Sequence, residues 1–131
     1  MKKTVLIIVI SFISNFGFSQ TQFEMNQSAF KDFEKTDKEL NLVYQKILKD
    51  YNSDANFIKN IKASQKTWIQ FRDAEMKVKF PETEEGYYGS VFPMCWSSYM
   101  EELTKERIKK LKIWLDGIEE GDVCSGSVKI K

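Results

Sequence analysis

The feature that most constrains this chain is the spacing of its large side chains, which recur every three or four residues along three long stretches. Such spacing keeps side chains on one face of an α-helix, so each stretch predicts an amphipathic helix. The first opens near MNQS, where Asn26 or Ser28 can cap a helix, and ends near residue 51 at YNSDAN. Its predicted face contains Phe30, Phe33, Asp37, Leu40, Tyr44, Ile47 and Tyr51.

Two further stretches follow the same rule. The second runs from about residue 54 to 78, and Pro81, which cannot continue a helix, closes it. The third opens near Ser90 or Pro93 and runs to about Gly117, a residue type common at helix ends. No stretch sustains the period of two that marks a strand. The sequence therefore predicts an all-α fold, a small bundle of three long helices with a partly ordered loop between the second and third.

The N-terminal segment MKKTVLIIVISFISNFGFSQ has the layout of a secretory signal peptide, with two lysines, an apolar stretch and small residues before Gln20. We predict that residues 1–19 are this signal and that residues 20–131 form a single helical domain. The apolar stretch is shorter than the ~20 residues that span a bilayer, although an uncleaved membrane anchor stays open. The expected location is the periplasm or the extracellular space.

Histidine is absent from the 131 residues. Ser-His-Asp and Cys-His catalysis and the common zinc sites need an imidazole, so an enzyme would have to use carboxylates, lysine or tyrosine. The predicted signal contains two of the 20 basic residues and none of the 19 acids, so the rest of the chain has a net charge of −1. Nucleic-acid binding needs a basic surplus. We therefore expect no catalysis, no metal, no cofactor and no nucleic-acid partner.

Each predicted helix face carries one charged residue where an apolar one would be expected: Asp37, Arg72 and Arg107. Buried charges are costly unless they are paired, so we predict that these three form a structural polar cluster that fixes the register of the helices. Two alternatives stay open. In one, the same residues make an acid–base site with Asp73 and Glu75. In the other, the aliphatic parts of these side chains lie along the helix surface and their charged ends reach solvent.

Five blocks of the sequence resemble, in order and spacing, the domain family named after the lysozyme inhibitor LprI: MNQS, DKELNLVYQKIL, QKTWIQFRDAEM, GSVFPM and ELTKERIKKLKIWL. The resemblance covers about residues 24–115. It implies a small, secreted or envelope-facing, all-helical domain, with lysozyme inhibition established for a few members. Members commonly carry cysteine where this chain has Ser28, Met76 and Tyr99, so the usual disulfide framework is missing.

The chain retains two cysteines, Cys95 and Cys124. Because an even number of cysteines in an exported protein favours pairing, we predict an intramolecular disulfide between them. A helix from residue 95 to 115 would be ~30 Å long, and the return to residue 124 reaches at most ~31 Å, so the tail would run nearly extended along the helix. Two free thiols or an intermolecular bond are the alternatives.

Three functions are compatible with these residues. The first is an exported protein that binds a lysozyme or related glycan hydrolase and fills its cleft with a protruding element. The loop EEGYYGS offers Tyr87, Tyr88 and Ser90 as partner-binding residues, unless both tyrosines fold back onto the helices. The second is an envelope interaction module with an unrelated partner. The third, a carboxylate-based hydrolase, ranks last because no two acids share a face at a convincing spacing.

Overall fold

The computed structural model describes residues 2–131, and within them the side chains of residues 21–131. The predicted signal peptide, residues 1–19, lies outside the residues whose side chains are described. Three helices follow one another: α1 (Lys2–Asp50), α2 (Ala55–Lys79) and α3 (Phe92–Asp116). The prediction of an all-α bundle of three long helices is confirmed.

The first helix differs from the prediction at its start. We expected it to open at Asn26 or Ser28, but α1 continues through both positions without a break. Residues 21–50 contain neither proline nor glycine, so nothing in this part of the chain interrupts the helical hydrogen bonds. Asn26 therefore does not cap a helix. Its side-chain amide instead donates a hydrogen bond of 2.9 Å to the carbonyl of Ser90, which precedes α3.

The ends of α2 and α3 follow local rules. Asp54 caps α2, because its carboxylate accepts the amide of Phe57 at 2.9 Å. Pro93 lies in the first turn of α3, where its missing N–H costs nothing. Gly117 ends α3 with a φ of 72°, in the left-handed region that favours glycine.

The core lies mainly between α1 and α3, which pack along each other, while α2 makes fewer close backbone approaches to α3. All three helices nevertheless contribute buried apolar side chains to it. These are Leu40, Val43, Ile47 and Tyr51 near the end of α1, Phe57 and Ile61 near the start of α2, and Ile108 and Leu111 in the second half of α3. The core is thus concentrated at the end of the bundle where the chain passes from α1 to α2.

The C-terminal segment, residues 117–131, closes that same end of the bundle. The amide of Ile118 donates to the carbonyl of Lys129 at 3.0 Å, and the amide of Lys131 donates to the carbonyl of Ile118 at 2.9 Å. The indole N–H of Trp114 donates to Ser127 Oγ at 3.0 Å, which ties the segment to α3. In the part of the chain that the structure describes, no helix is long and apolar enough to cross a membrane.

Candidate functional site

The linker between α2 and α3, residues 81–91, carries three acidic residues and no basic one. Its backbone is organised by turns. The amide of Tyr87 donates to the carbonyl of Glu84 at 3.2 Å, and that of Gly89 donates to the carbonyl of Gly86 at 3.0 Å. Gly86 has a φ of 82°, which other residue types rarely adopt, so the turn requires glycine at this position. The linker is therefore an acidic, turn-rich loop.

Tyr88 folds back onto the helix ends. Its hydroxyl donates to the carbonyl of Pro81 at 2.7 Å, and its ring stacks on Phe92 with centroids 4.8 Å apart. Phe80 lies edge-on to Tyr88, to Phe92 and to Tyr99. We call these four rings, Phe80, Tyr88, Phe92 and Tyr99, the aromatic corner. It anchors the linker to the ends of both helices.

Tyr87, in contrast, is 66% exposed. Its ring contacts Tyr88 edge-on, with centroids 5.1 Å apart, so the exposed ring rests on an anchored one. Ser90 is also exposed, and its carbonyl accepts the hydrogen bond from Asn26 described above. The structure thus separates the two candidate tyrosines: Tyr88 belongs to the scaffold of the linker, and Tyr87 is presented to solvent.

The predicted polar cluster is only partly assembled. Arg72 Nη1 lies 3.8 Å from Asp37 Oδ1, and Arg72 Nη2 lies 3.1 Å from Asp73 Oδ1. The guanidinium also lies over the ring of Trp68, 5.3 Å from its centroid. The structure therefore brings Arg72 and Asp37 together across α1 and α2, with Asp73 as the closer partner.

Arg107 does not join Asp37. It donates to Gln65 Oε1 from Nε and to Ser64 Oγ from Nη2, both at 3.0 Å, and its guanidinium lies 5.8 Å from the centroid of Trp68. Partial burial lowers the pKa of Arg107 below its usual range. Among the described side chains, no carboxylate forms an ion pair with it. Arg107 is therefore a cation held by neutral acceptors.

The structure also separates the two acids of the alternative acid–base site. Asp73 pairs with Arg72, whereas Glu75 acts on the phenol of Tyr99. Burial is the main reason that the pKa of the Tyr99 phenol is raised, and the negative charge of Glu75 raises it further. Each acid has its own partner, so the described residues do not present them as a catalytic pair.

The predicted disulfide is not present. Cys95 and Cys124 are both free thiols, the first half-buried and the second exposed. Cys95 lies in the first turns of α3, while the segment that contains Cys124 packs at the opposite end of that helix. The tail makes its contacts at Trp114 and Ile118 and does not return along α3, which the disulfide would have required.

A cavity of about 270 Å³ lies between the first half of α2 and the second half of α3, and we call it the α2–α3 cavity. Arg107 and Ser64 line it, together with the amides of Asn56 and Asn60. Its apolar lining is supplied by Phe57, Ile61, Leu111 and Trp114. Asp54 and Ser127 complete it. This cavity was not predicted from the sequence, although Asn56, Asn60 and Ser64 recur every four residues beside the apolar face of α2.

Comparison with known proteins adds a family and a fold. The sequence matches the family described as Lysozyme inhibitor LprI over residues 17–111. An uncharacterized protein of Rhizobium meliloti (strain 1021) is 29% identical over 110 residues, which cover 76% of this chain and 77% of that protein. A crystal structure of a DUF1311 family protein from Pseudomonas putida KT2440 superposes with a TM-score of 0.58 at 22% identity, over 68% of this chain and 88% of that one. That likeness concerns the fold alone. Because the family match spans most of the sequence, this chain belongs to the Lysozyme inhibitor LprI family.

Proposed function

We propose that this protein is an exported binding protein that inhibits a lysozyme or a related glycan hydrolase, and that the linker of residues 81–91 is its contact surface. The observation that carries the proposal is the position of Tyr87, an exposed ring at the tip of an anchored loop. Family membership supports the choice of enzyme class. The proposal makes the protein a binding protein with no catalytic residues of its own.

The anchoring of the linker favours binding. A loop that is already held in one conformation loses little entropy when it meets its partner. Here the hydroxyl of Tyr88 bonds to Pro81, and the Ser90 carbonyl bonds to α1. Tyrosine offers a large contact area with few rotatable bonds, which makes it a frequent anchor at interfaces. In a glycosidase cleft, the hydroxyl of Tyr87 would donate to one of the two catalytic carboxylates.

The distribution of charge also supports this surface. Although residues 20–131 are nearly neutral, Glu82, Glu84 and Glu85 give the linker a local negative charge. Complementary charge around an interface accelerates association and fixes orientation, so an acidic loop suits an enzyme with a basic rim around its cleft. The steering is local, because the rest of the chain contributes little net charge.

A second candidate is an envelope interaction module for a different partner. Its supporting observation is a group of exposed apolar side chains on α1, Phe23, Met25 and Phe30. Phe23 and Phe30 line one depression, and exposed apolar patches often mark sites of protein interaction. A carboxylate-based hydrolase is not proposed, because Asp73 and Glu75 are engaged with different partners.

The test compares variants in a turbidity assay, in which a lysozyme lyses a cell-wall suspension with and without the protein of residues 20–131. Replacing Tyr87 by alanine should weaken inhibition by a factor of about 10 or more, as expected when an interface anchor is truncated. The Phe71→Ala variant is the matched control, because it removes another exposed aromatic ring, on α2, and should inhibit like the parent. Circular dichroism should show equal helix content in all three proteins.

Unaltered inhibition by Tyr87→Ala would contradict the linker as the contact surface. A parent protein that slows no muralytic enzyme would contradict the inhibitor proposal and favour the interaction module.

A further inference from the structure

We propose that the α2–α3 cavity is a binding site for a small carboxylate carried on a ring. Three observations support the site: Arg107 forms no ion pair with a described residue, the surrounding helix surfaces are basic, and the size and lining of the cavity suit a single ring. It is independent of the linker and goes beyond the inhibition proposed above.

The cation is Arg107. Nε and Nη2 each donate one hydrogen bond to a neutral oxygen, on Gln65 and Ser64. These two contacts orient the guanidinium without neutralising it, and three of its five N–H groups are left for a ligand. A carboxylate is the anion whose geometry matches this planar group, because it accepts two parallel hydrogen bonds. Its binding would offset the cost of partly burying the charge.

The surrounding helix surfaces are basic. Residues 55–72 of α2 carry four basic residues and no acid, and residues 105–112 of α3 carry five basic residues and one acid. Asp54 is the acid that lines the cavity, and its Oδ1 already accepts the amide of Phe57. Asp54 also precedes Ser64, the residue that contacts Arg107, by ten residues, or roughly 15 Å along the helix axis. The end of the cavity at Arg107 therefore favours an anion.

The ring is inferred from the lining. Phe57 and Trp114 provide aromatic surface, and Phe57 is itself held by stacking on Tyr51 with centroids 4.2 Å apart. Asn60 supplies an amide donor and acceptor at the polar side. At about 270 Å³, the cavity is slightly below the range of roughly 300 to 1,000 Å³ typical of ligand pockets, which limits the occupant to about one ring. Such linings suit either an aromatic ring or a sugar ring.

The experiment uses two acids with their neutral amides, phenylacetate against phenylacetamide and glucuronate against glucuronamide. Binding to the full-length protein is measured by calorimetry and by tryptophan fluorescence, to which Trp114 in the cavity lining contributes. At least one acid should bind about tenfold more tightly than its amide, as a charge-assisted pair with arginine predicts. Which acid binds identifies the ring as aromatic or as a sugar. If neither acid exceeds its amide, the proposal is wrong.

The variant Arg107→Gln should weaken binding of the preferred acid by about tenfold, because it keeps hydrogen-bond donors but loses the charge. Lys35→Gln is the matched control, since it removes the same charge on α1, beside Glu34 and Glu39 in a separate depression and outside the basic surfaces of α2 and α3. It should bind the acid like the parent. Equal binding by Arg107→Gln and the parent would overturn the proposal.

A second variant keeps the test valid if Arg107→Gln loses helix content. Asn60 is exposed on α2 and lines the cavity, so Asn60→Trp should fill the cavity without disturbing the core. This variant should retain its helix content and lose binding of the acid. Retained binding by a folded Asn60→Trp protein would place the ligand elsewhere and refute the site.

Discussion

Arg72 and Arg107 show how two similar residues acquire different roles. Both guanidinium groups lie over Trp68, at 5.3 and 5.8 Å from its centroid, a distance at which a cation and an aromatic ring attract. Arg72 faces the carboxylates of Asp37 and Asp73, whereas Arg107 faces the neutral side chains of Gln65 and Ser64. The first is thus placed to hold α1 against α2, and the second leaves its charge available.

We expect Arg72→Ala to lower the free energy of unfolding by about 1 kcal/mol, through lost packing on Trp68 and a weak ion pair. The cost stays small because the side chain of Asp37 is 41% exposed and can be hydrated once Arg72 is gone. Urea denaturation measures the change. In a double-mutant cycle with Asp37→Leu, a coupling energy close to zero would show that the pair at 3.8 Å contributes nothing.

The C-terminal segment depends on the glycine that ends α3. Gly117 allows the backbone to turn so that Ile118 bonds with Lys129 and Lys131. A β-carbon at residue 117 would lie 2.8 Å from the carbonyl oxygen of Lys129, closer than such contacts occur. The position therefore needs glycine both for its φ of 72° and for the close approach of the tail.

Gly117→Ala should destabilise the protein by about 2 kcal/mol, since it adds a steric clash to the strain of a positive φ. Gly126→Ala is the control, because its φ is also positive, at 55°, but no atom lies within 4 Å of the added carbon. We expect it to cost about half as much, from the strain alone. Thermal unfolding compares the two variants. Equal losses of stability would show that the clash with the Lys129 carbonyl adds nothing to the backbone strain.

At the level of the whole molecule, charge and core are distributed unevenly. The acidic linker follows the end of α2, and the basic surfaces of α2 and α3 flank the α2–α3 cavity. The apolar core lies near that cavity, at the end where the tail packs. The two proposed binding surfaces thus differ in charge, and substitutions in one should leave the other intact.

Leu111→Ala should lower the free energy of unfolding by about 3 kcal/mol, the cost of removing a buried leucine side chain. Leu111 is 1% exposed, whereas Leu42 is 70% exposed, so Leu42→Ala is the matched control and should change stability little.

If residues 20–131 form the single domain predicted from the sequence, urea should unfold the protein in one transition followed equally by circular dichroism and tryptophan fluorescence. Two separate transitions would show that the helices do not form one cooperative unit.

The number of helices, the approximate residues at which each one ends and the family were all accessible from the sequence. Helix formation depends on side chains within one contiguous stretch, so the spacing of Leu40 and Ile47 was enough to identify a buried face. Pro81 and Gly117 marked helix ends because their effects on the backbone are local. The start of α1 was placed wrongly, since Asn26 and Ser28 resemble caps wherever they occur.

Contacts between elements required the tertiary structure. Tyr87 and Tyr88 are equivalent in the sequence, and only the packing of Phe80 and Phe92 decides that Tyr88 is anchored and Tyr87 exposed. Likewise, the rotation of α3 against α2 places Arg107 beside Gln65 and not beside Asp37. Such pairings depend on how separate helices dock, a property that the periodicity within one helix does not contain. The α2–α3 cavity arises in the same way, because its lining comes from α2, α3 and the C-terminal segment.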